Sequence, residues 1–510
     1  MLLNLVILAC VVAYLYHHFV AKRRNFPPGP TPLPLLGNVH QVGLDTSDIG
    51  SSLAKMGKRY GGLFTIWFPT PMVIITDYEI MKEALVHNGE ALSGRPDQYL
   101  FSLFAGGHYG MVYPDGWFWR EQRRFALHVL RDFGFGRNIM EEKINFEIDR
   151  FCDHLDSKIK SADGGSVRID HEPMLLSMVA SVIGMLTFGH RYEIENDLLL
   201  TRLNKNNEEF IALITNPISQ MLNLFPWLRH IPLFDHFHLD TFMKLMPKFL
   251  KFYEDQIEEH KQKLKSMPDQ EPEDYTAAYL KEMNRRKEKG EDASSFTDWQ
   301  LLMAVADLWG AGLETTTTTL RWMVRYMTMY PEVQDRVHNE IVSEIGTDRR
   351  VTMADRNSLP YTTATIHELQ RSANLLPFNL LHETMQDVNI NGMDIRKGTT
   401  VVPQISAVLQ DERYFPNPAA FQPERFLTKD NQVDQSVVEK VVPFGMGKRQ
   451  CLGESLARME LFMMVVTILQ KFKLEMIPEE KTKSAEQLLK SSLRFTRAPT
   501  SHEIVLGKWE

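Results

Sequence analysis

The chain has 510 residues, of which 44% are apolar and 24% are charged, so it can bury the core of a large globular protein. Its net charge of −8 argues against nucleic-acid binding, which requires a basic surface. The three cysteines, Cys10, Cys152 and Cys451, include no C-x-x-C pair, which argues against a cysteine-pair zinc site and a disulfide framework.

The first predicted element is an apolar segment at the N-terminus. Residues Leu5–Tyr16 are almost wholly apolar, and the wider span 2–20 approaches the roughly 20 residues that cross a bilayer. Three cations at positions 22–24 follow it and favour a cytosolic location for the rest of the chain. A cleaved signal peptide, the alternative, would place its cations before the apolar segment. We therefore predict a membrane anchor at residues 1–21.

A linker and a single catalytic domain follow the anchor. Residues 22–38 are basic and proline-rich, which predicts a stiff, extended linker. Residues 62–68 and 72–76 predict a short β-hairpin, and most of the later sequence has the hydrophobic period of helices. No repeat or further linker divides residues 39–510, so we predict one large, mainly α-helical domain with small β-sheets (α+β).

A long helix is predicted near the middle of this domain. Thr297 and Gln300 have the spacing of a capping box at its start, and Pro331 bars its continuation. Its central segment, ADLWGAGLETTTTT, contains two glycines and five successive threonines, which disfavour a helix interior by up to roughly 1 kcal/mol each. Such local violations tend to mark functional positions.

Four residues of this segment suggest a ligand site. Small Ala311 and Gly312 would let a flat ligand lie against the backbone, and Glu314 with Thr315 would supply an acid and a hydroxyl that relay protons. The alternative is a tight helix–helix crossing that requires small residues. The segment by itself does not separate the two.

Glu368 and Arg371 form an E-x-x-R pattern on another predicted helix. Three residues apart, they share a face, and their neighbours are not those of a solvated helix. We therefore predict a buried pair, with Arg425 available as a second cation. A surface ion pair is the alternative, because the pattern is common.

The segment Phe444–Gly453, FGMGKRQCLG, holds Cys451 immediately before a predicted apolar helix. A free thiol has a pKa near 8.5, so about 2 pKa units, roughly 2.7 kcal/mol, are needed to keep it ionised at neutral pH. The helix start would supply N–H donors, and a coordinated metal would deprotonate the thiol outright. The three glycines would admit a large flat ligand, Arg449 would hold a carboxylate and Phe444 would shield the sulfur. A small buried cysteine is the alternative.

Together these motifs resemble those of the cytochromes P-450, in the order in which that family has them, and most closely its animal microsomal, drug- and lipid-metabolising group. The matching residues are Phe444, Gly447, Arg449, Cys451 and Gly453 for F-x-x-G-x-R-x-C-x-G; Ala311, Gly312, Glu314 and Thr315 for A-G-x-E-T; Glu368 and Arg371 for E-x-x-R; Pro423–Phe426 for P-E-R-F; Trp119 and Arg123 for W-x-x-x-R; and Pro27–Pro30 for P-P-G-P. The resemblance covers essentially the whole chain after the apolar segment.

The resemblance implies a heme-thiolate monooxygenase domain in which heme b lies between two long helices and the Cys451 thiolate is the axial iron ligand. It implies that Glu314 and Thr315 deliver protons during catalysis, and that Glu368, Arg371 and Arg425 support the heme loop. The implied cofactor contacts come from Arg95, Trp119, Arg123, Ala311, His382, Phe444, Arg449, Cys451 and Gly453.

The implied reaction inserts one atom of O2 into a lipophilic xenobiotic, steroid or fatty acid. Electrons would come from NADPH through a separate reductase, since the sequence has no flavin or nicotinamide fingerprint. The resemblance further implies anchoring in the endoplasmic reticulum membrane, contact with membrane lipid, and cytochrome b5 as a further partner. A heme-thiolate isomerase or dehydratase acting on lipid peroxides is the alternative, and a non-catalytic heme sensor is a second. The intact Glu314–Thr315 pair argues against both. The expected pocket walls are Phe101, Phe104, Ala311, Leu376 and Phe378.

Overall fold

Helices make up most of the chain, as the apolar residues at helical spacing predict. A computed structural model describes residues 2–21, 23–34, 36–42, 49–68, 70–134, 138–162, 164–231, 239–493 and 496–509. Of the predicted anchor and linker, Met1, Lys22 and Leu35 lie outside the described residues. The predicted class, mainly α-helical with small sheets, is confirmed.

The described helices and strands have the following bounds. The helices are α1 (Leu2–Tyr16), α2 (Val39–Val42), α3 (Ile49–Tyr60), α4 (Tyr78–Lys82), α5 (Tyr99–Ala105), α6 (Gly116–Asp132), α7 (Asn138–Ser161), α8 (Glu172–Thr187), α9 (Leu198–Thr215), α10 (Pro217–Leu224), α11 (Asp240–Ser266), α12 (Tyr275–Lys289), α13 (Asp298–Met329), α14 (Pro331–Glu344), α15 (Pro360–Ala373), α16 (Ile405–Leu409), α17 (Gln435–Val438), α18 (Glu454–Lys471) and α19 (Ala485–Leu488). The strands are β1 (Leu63–Phe68), β2 (Thr70–Ile75), β3 (Ser166–Asp170), β4 (His382–Glu383), β5 (Val388–Ile390), β6 (Met393–Ile395), β7 (Thr400–Pro403), β8 (Phe472–Met476), β9 (Ser491–Leu493), β10 (Arg497–Pro499) and β11 (Glu503–Lys508).

The strands form small separate sheets. The predicted hairpin is confirmed: β1 and β2 are antiparallel, with Leu63 opposite Ile75, and they extend into a four-stranded sheet of order β1-β2-β7-β4. A three-stranded sheet of order β3-β11-β8 joins the C-terminal strand to the middle of the chain. Two-stranded pairs are formed by β5 with β6 and by β9 with β10.

The long helix α13 lies at the centre of the helical core. It packs against α8, α11, α15 and α18, and most of its residues are buried. At its start the Thr297 hydroxyl accepts from the Gln300 N–H at 3.1 Å, as predicted. The reciprocal half of the capping box is absent, because the Gln300 amide instead bonds the Gly110 backbone at 2.8 and 2.9 Å. The local pattern assigned the Gln300 side chain to the helix cap, but in the fold this side chain makes a tertiary contact with Gly110.

The apolar N-terminal segment forms α1 and presents exposed apolar side chains, among them Val6, Ile7, Val11 and Val12. A five-residue π-helical turn, His17–Ala21, follows it. Within the described ranges, no helix combines the length and the hydropathy needed to cross a bilayer.

Candidate functional site

Cys451 ends a loop that folds back on itself before α18. Its N–H donates to the Phe444 carbonyl at 2.9 Å, and the Gly453 N–H donates to its sulfur. The surrounding protein raises the pKa of the Cys451 thiol, mainly because burial disfavours the charged form. The side chain nevertheless keeps a surface that solvent can reach. A side chain that is surrounded by protein and still accessible must line an internal recess. Its sulfur can therefore meet a ligand that enters this recess.

The glycines of this loop have different roles. Gly447 has a φ of +75°, and a Cβ there would overlap the Leu85 carbonyl oxygen. At Gly453 a Cβ would meet open space. The prediction that all three loop glycines admit a ligand is therefore wrong for Gly447, because the close approach there is between two segments of the protein backbone.

Three arginines converge beside the Cys451 loop. The Arg449 guanidinium stacks on the Trp119 ring, with 3.7 Å between the guanidinium carbon and the ring centre. The guanidiniums donate to backbone carbonyls: Arg95 to Val112 and Leu381, Arg123 to Gln450, and Arg449 to Ser93 and Pro114.

None of these three arginines, Arg95, Arg123 and Arg449, forms an ion pair with a carboxylate among the described residues, although the charge of Asp115 acts on Arg449 from a longer distance. Burial lowers the pKa of Arg95 to about 10, and burial together with Arg95 and Arg123 lowers that of Arg449. Clustered, partly buried cations without counter-charges are costly unless an anion binds between them. The cluster is therefore suited to a ligand that carries carboxylates.

His382 lies in β4, close to Arg95. Its Nδ1 contacts the Leu92 carbonyl at 2.7 Å, so this nitrogen carries the hydrogen when the ring is neutral. Burial, followed by the charge of Arg95, lowers the pKa of His382 to about 3. As a neutral ring it would accept at Nε2, and only a bound anion would favour the protonated form that donates there.

The centre of α13 has one accessible stretch. Ala311 is exposed and its neighbours Gly310 and Gly312 are half-buried, although most of the helix is buried, and a Cβ at Gly310 would meet open space. The Thr315 hydroxyl donates to the Ala311 carbonyl at 2.7 Å. The Glu314 carboxylate accepts from the Thr496 hydroxyl at 2.7 Å, so it is held at the C-terminal segment and not at Thr315.

Sequence reasoning missed two residues of α13 that position the neighbouring loop. Asp307 accepts from the backbone N–H groups of Met111 and Val112 at 2.7 and 3.1 Å. Gln300 bonds both backbone groups of Gly110. Burial raises the pKa of Asp307 to about 6. The available signal for Asp307 was an acidic residue one helical turn before Ala311. Its partners could not be predicted, because they lie about 200 residues away in the sequence.

The predicted E-x-x-R pair is buried, as expected. Arg371 makes two bonds to Glu368, at 2.7 and 2.8 Å, and the Arg425 Nε lies 3.2 Å from the same carboxylate. Glu368 also accepts from the Gln422 N–H at 2.8 Å. The side chains of Glu368, Arg371 and Arg425 are 0%, 2% and 7% exposed. This triad ties α15 to the segment that precedes the Cys451 loop.

A second buried acid lies between the two long helices α13 and α18. Glu460 is 2% exposed, and its carboxylate accepts from the Thr316 hydroxyl at 3.3 Å. Burial raises its pKa from 4.5 to about 8. A raised folded-state pKa means that the native state binds the proton more tightly, so this contribution to stability is complete below pH 4.5 and is lost as the pH rises through 8.

We therefore expect Glu460→Gln to remove part of the pH dependence of stability. Between pH 5 and pH 8 the wild-type protein should lose on the order of 3 kcal/mol relative to the variant, at about 1.4 kcal/mol per pKa unit. Urea unfolding of both proteins at the two pH values measures this difference. Parallel losses in the two proteins would show that the native state does not raise the pKa of Glu460.

Comparisons with known proteins identify the family and several relatives of this chain. A family model described as "Cytochrome P450" matches residues 27–503. The chain is 34% identical over 470 residues to probable cytochrome P450 CYP36A1 of Caenorhabditis elegans, covering 92% of this chain and 93% of the relative. It is 38% identical over 451 residues to cytochrome P450 2D26 of Mus musculus, covering 88% and 86%. It is 36% identical over 475 residues to cytochrome P450 2C3 of Oryctolagus cuniculus, covering 93% of each.

Proposed function

The chain belongs to the cytochrome P450 family, and we propose on that premise that it oxygenates lipophilic small molecules with electrons that NADPH delivers through a separate reductase. Membership of the family makes it a heme-dependent monooxygenase with heme b as its cofactor. The single observation that supports the site best is the accessible Cys451 thiol beside three arginines that form no ion pair within the described part of the chain.

The residues around Cys451 fit heme b. The recess at the sulfur, the open space beside Gly453 and Gly310, and the cluster of three arginines match an iron, a flat ring and two propionates. When bound, heme supplies the chemistry that activates O2, and thiolate ligation favours O–O cleavage. In our proposal Cys451 binds the iron, and the Gly453 N–H stabilises the negative sulfur.

Other residues of the chain hold the cofactor and move protons. Arg95, Arg123, Arg449 and Trp119 bind the propionates, with His382 joining them in its protonated form. Arg123 is the cation of this group whose charge also favours the Cys451 thiolate. The Thr315 Oγ1 can accept one proton and donate another, because a hydroxyl is both an acceptor and a donor. Its hydrogen can turn from the Ala311 carbonyl towards the recess. Glu314 is the proposed source of that proton, and to supply it the carboxyl must exchange its bond with the Thr496 hydroxyl for one with Thr315.

Oxygen consumption tests this function against its rival. The purified protein, combined with an NADPH-dependent flavoprotein reductase, is expected to consume O2 and to release a hydroxylated product when a lipophilic substrate is present. The heme-thiolate isomerase alternative would instead rearrange a lipid peroxide without NADPH or O2. Turnover of a peroxide with no oxygen uptake would therefore refute the monooxygenase proposal for this chain.

Replacement of Thr315 tests the proton relay. Thr315→Ala should lower product formed per NADPH on the order of 10²-fold, since positioned acid–base groups typically contribute that much. Thr319→Ala is a matched control, because its hydroxyl also donates to a carbonyl one turn earlier, that of Thr315, at 2.8 Å, but it is 5% exposed. Equal coupling efficiency in both variants would remove Thr315 from the mechanism.

The substrate class is proposed to be lipophilic because apolar side chains dominate the expected pocket walls. The Phe104 ring packs on Phe210 with 4.7 Å between ring centres, and the Phe101 ring stacks on Tyr113 at 4.1 Å. Binding spectra with fatty acids, steroids and foreign lipophiles would identify the class. A protein whose spectrum responds only to charged, water-soluble compounds would contradict the proposal.

Two exposed cations near the heme loop are the proposed contacts for an acidic reductase surface. Arg124 lies on α6 beside Arg123, and Lys448 pairs with Glu90 at 3.2 Å with both side chains 56% exposed. Reversal of both charges should slow the first reduction of the protein and weaken its salt dependence, because complementary charges steer association. Stopped-flow reduction with Lys265→Glu on α11 as control measures this effect, and unchanged rates would exclude these contacts.

We further propose that residues 1–21 anchor the chain in the endoplasmic reticulum membrane, with membrane lipid around the exposed apolar side chains of α1. Cytochrome b5 is a further proposed electron donor. Complete release of the full-length chain from microsomes by an alkaline wash would contradict the anchor.

A further inference from the structure

The ends of β3 and β11 bring two histidines together far from the Cys451 loop in sequence. These strands are antiparallel, and Asp170 at the end of β3 lies opposite Glu503 at the start of β11. His171 and His502 are the adjoining residues and extend this register by one pair. Their rings lie edge to face with 4.7 Å between ring centres. Glu172, the first residue of α8, adds a carboxylate to the same place.

The nitrogens of these histidines are buried without partners. His171 is 3% exposed and His502 is 6% exposed. Among the described residues, neither ring nitrogen of His171 has a hydrogen-bond partner, and nor does Nε2 of His502. A buried polar atom left unpaired costs roughly 1–3 kcal/mol. Three such atoms at one place therefore indicate that something else satisfies them.

The hydrogen bond of His502 favours a metal ion as that partner. Its Nδ1 lies 3.2 Å from the Thr500 carbonyl, which fixes the hydrogen on Nδ1 and leaves the lone pair on Nε2. Metal-binding histidines characteristically donate their other ring N–H to a carbonyl or carboxylate in this way. One ligand atom each from His171, Glu172 and His502 lies within 4.8 Å of the others.

The surrounding charges leave room for a cation. Arg321 donates to Glu172 at 2.7 Å, and Arg325 is paired with Glu480, so both neighbouring guanidiniums are already neutralised. A carboxylate has about four lone-pair sites, and the bonds from the Arg321 and Ser501 side chains use two of them. Glu172 can thus bind a metal while it keeps its ion pair, which then acts as an outer-shell contact that orients the ligand.

We propose that His171, Glu172 and His502 form a zinc site that fastens the C-terminal strand to α8. Two imidazoles and one carboxylate are a known zinc ligand set, with a water at the fourth position. Zinc–ligand bonds of about 2.0–2.1 Å place tetrahedral ligands roughly 3.3 Å apart, so ligand atoms that now lie within 4.8 Å of one another must move closer when the ion binds. Glu172 and Arg321 also line a cavity of about 370 Å³, which gives the ion an entry route.

The experiment uses the full-length, heme-loaded protein, because a free Cys451 thiolate is itself a zinc ligand type and would compete for the ion. After treatment with EDTA and addition of Zn²⁺ in the presence of excess Mg²⁺, desalted protein is expected to retain about one zinc per heme. Zinc should also raise Tm in a concentration-dependent manner, since a ligand that binds only the native state stabilises it. No zinc retained above the level of the His171→Gln/His502→Gln double variant would overturn the proposal.

Single variants separate this site from adventitious surface binding. His502→Gln and His171→Gln should each weaken zinc affinity at least tenfold and abolish the zinc-dependent rise in Tm, with an unchanged heme spectrum. His128→Gln is the matched control, because His128 is a surface histidine beside Asp132 with 75% of its side chain exposed. If His128→Gln reduces zinc retention as much as His502→Gln, the ion binds adventitiously and the proposed site is wrong. If His171→Gln fails to fold, His502→Gln and the wild-type titration decide the question.

Discussion

Cys451→Ser is expected to abolish both the long-wavelength Soret band of the reduced carbon monoxide complex and the monooxygenase activity. A serine hydroxyl does not ionise near neutral pH, so it could not supply the anionic sulfur ligand through which Cys451 would favour O–O cleavage. Activity should fall towards the uncatalysed background, and enzymes typically exceed that background by at least about 10⁶-fold. The carbon monoxide difference spectrum of a heme-replete sample measures the first effect directly.

The other buried cysteine provides the control for this experiment. Cys152 on α7 is 1% exposed in an apolar cluster, where burial raises the pKa of its thiol. Cys152→Ala should leave the Soret band unchanged, because this neutral thiol serves only in packing. If Cys451→Ser keeps the wild-type spectrum, or Cys152→Ala loses it, the assignment of the iron ligand is wrong.

Glu368→Ala is expected to prevent accumulation of heme-loaded protein. The change leaves the guanidiniums of Arg371 and Arg425 buried without their shared carboxylate and removes the acceptor of the Gln422 N–H. Breaking a buried ion pair on one side costs about 3–5 kcal/mol, a large fraction of the 5–15 kcal/mol that typically stabilises a native protein. Holoprotein yield and urea unfolding of any folded fraction measure this loss.

A glutamate in an exposed ion pair provides the control, because it separates the effect of burial from the effect of ion pairing. Glu424 also pairs with an arginine, Arg336, at 2.7 Å, but these side chains are 55% and 48% exposed. Glu424→Ala should cost less than about 1 kcal/mol, because exposed ion pairs are worth little. Losses of similar size in the two variants would mean that the triad is not a buried support of the heme loop.

The amino-acid sequence by itself determined the local features of this protein. The hairpin of β1 and β2, the helix from Asp298 and the burial of Glu368 with Arg371 follow from hydrophobic period, turn residues and spacing. The Cys451 loop and its accompanying motifs also identified the family, which the family model over residues 27–503 confirms. These features can be predicted from the sequence because the residues that define each one lie close together in the chain.

Only the tertiary structure decided which distant groups meet. The local pattern assigned the Gln300 side chain to a helix cap, but in the fold it donates to the Gly110 carbonyl. The local pattern also paired Glu314 with Thr315, but in the fold the Glu314 carboxylate accepts a hydrogen bond from the Thr496 hydroxyl. Nothing in the sequence joins His171 to His502 until β11 pairs with β3. Periodicity reveals which face of an element is apolar, but the partner on that face depends on how all the elements pack together.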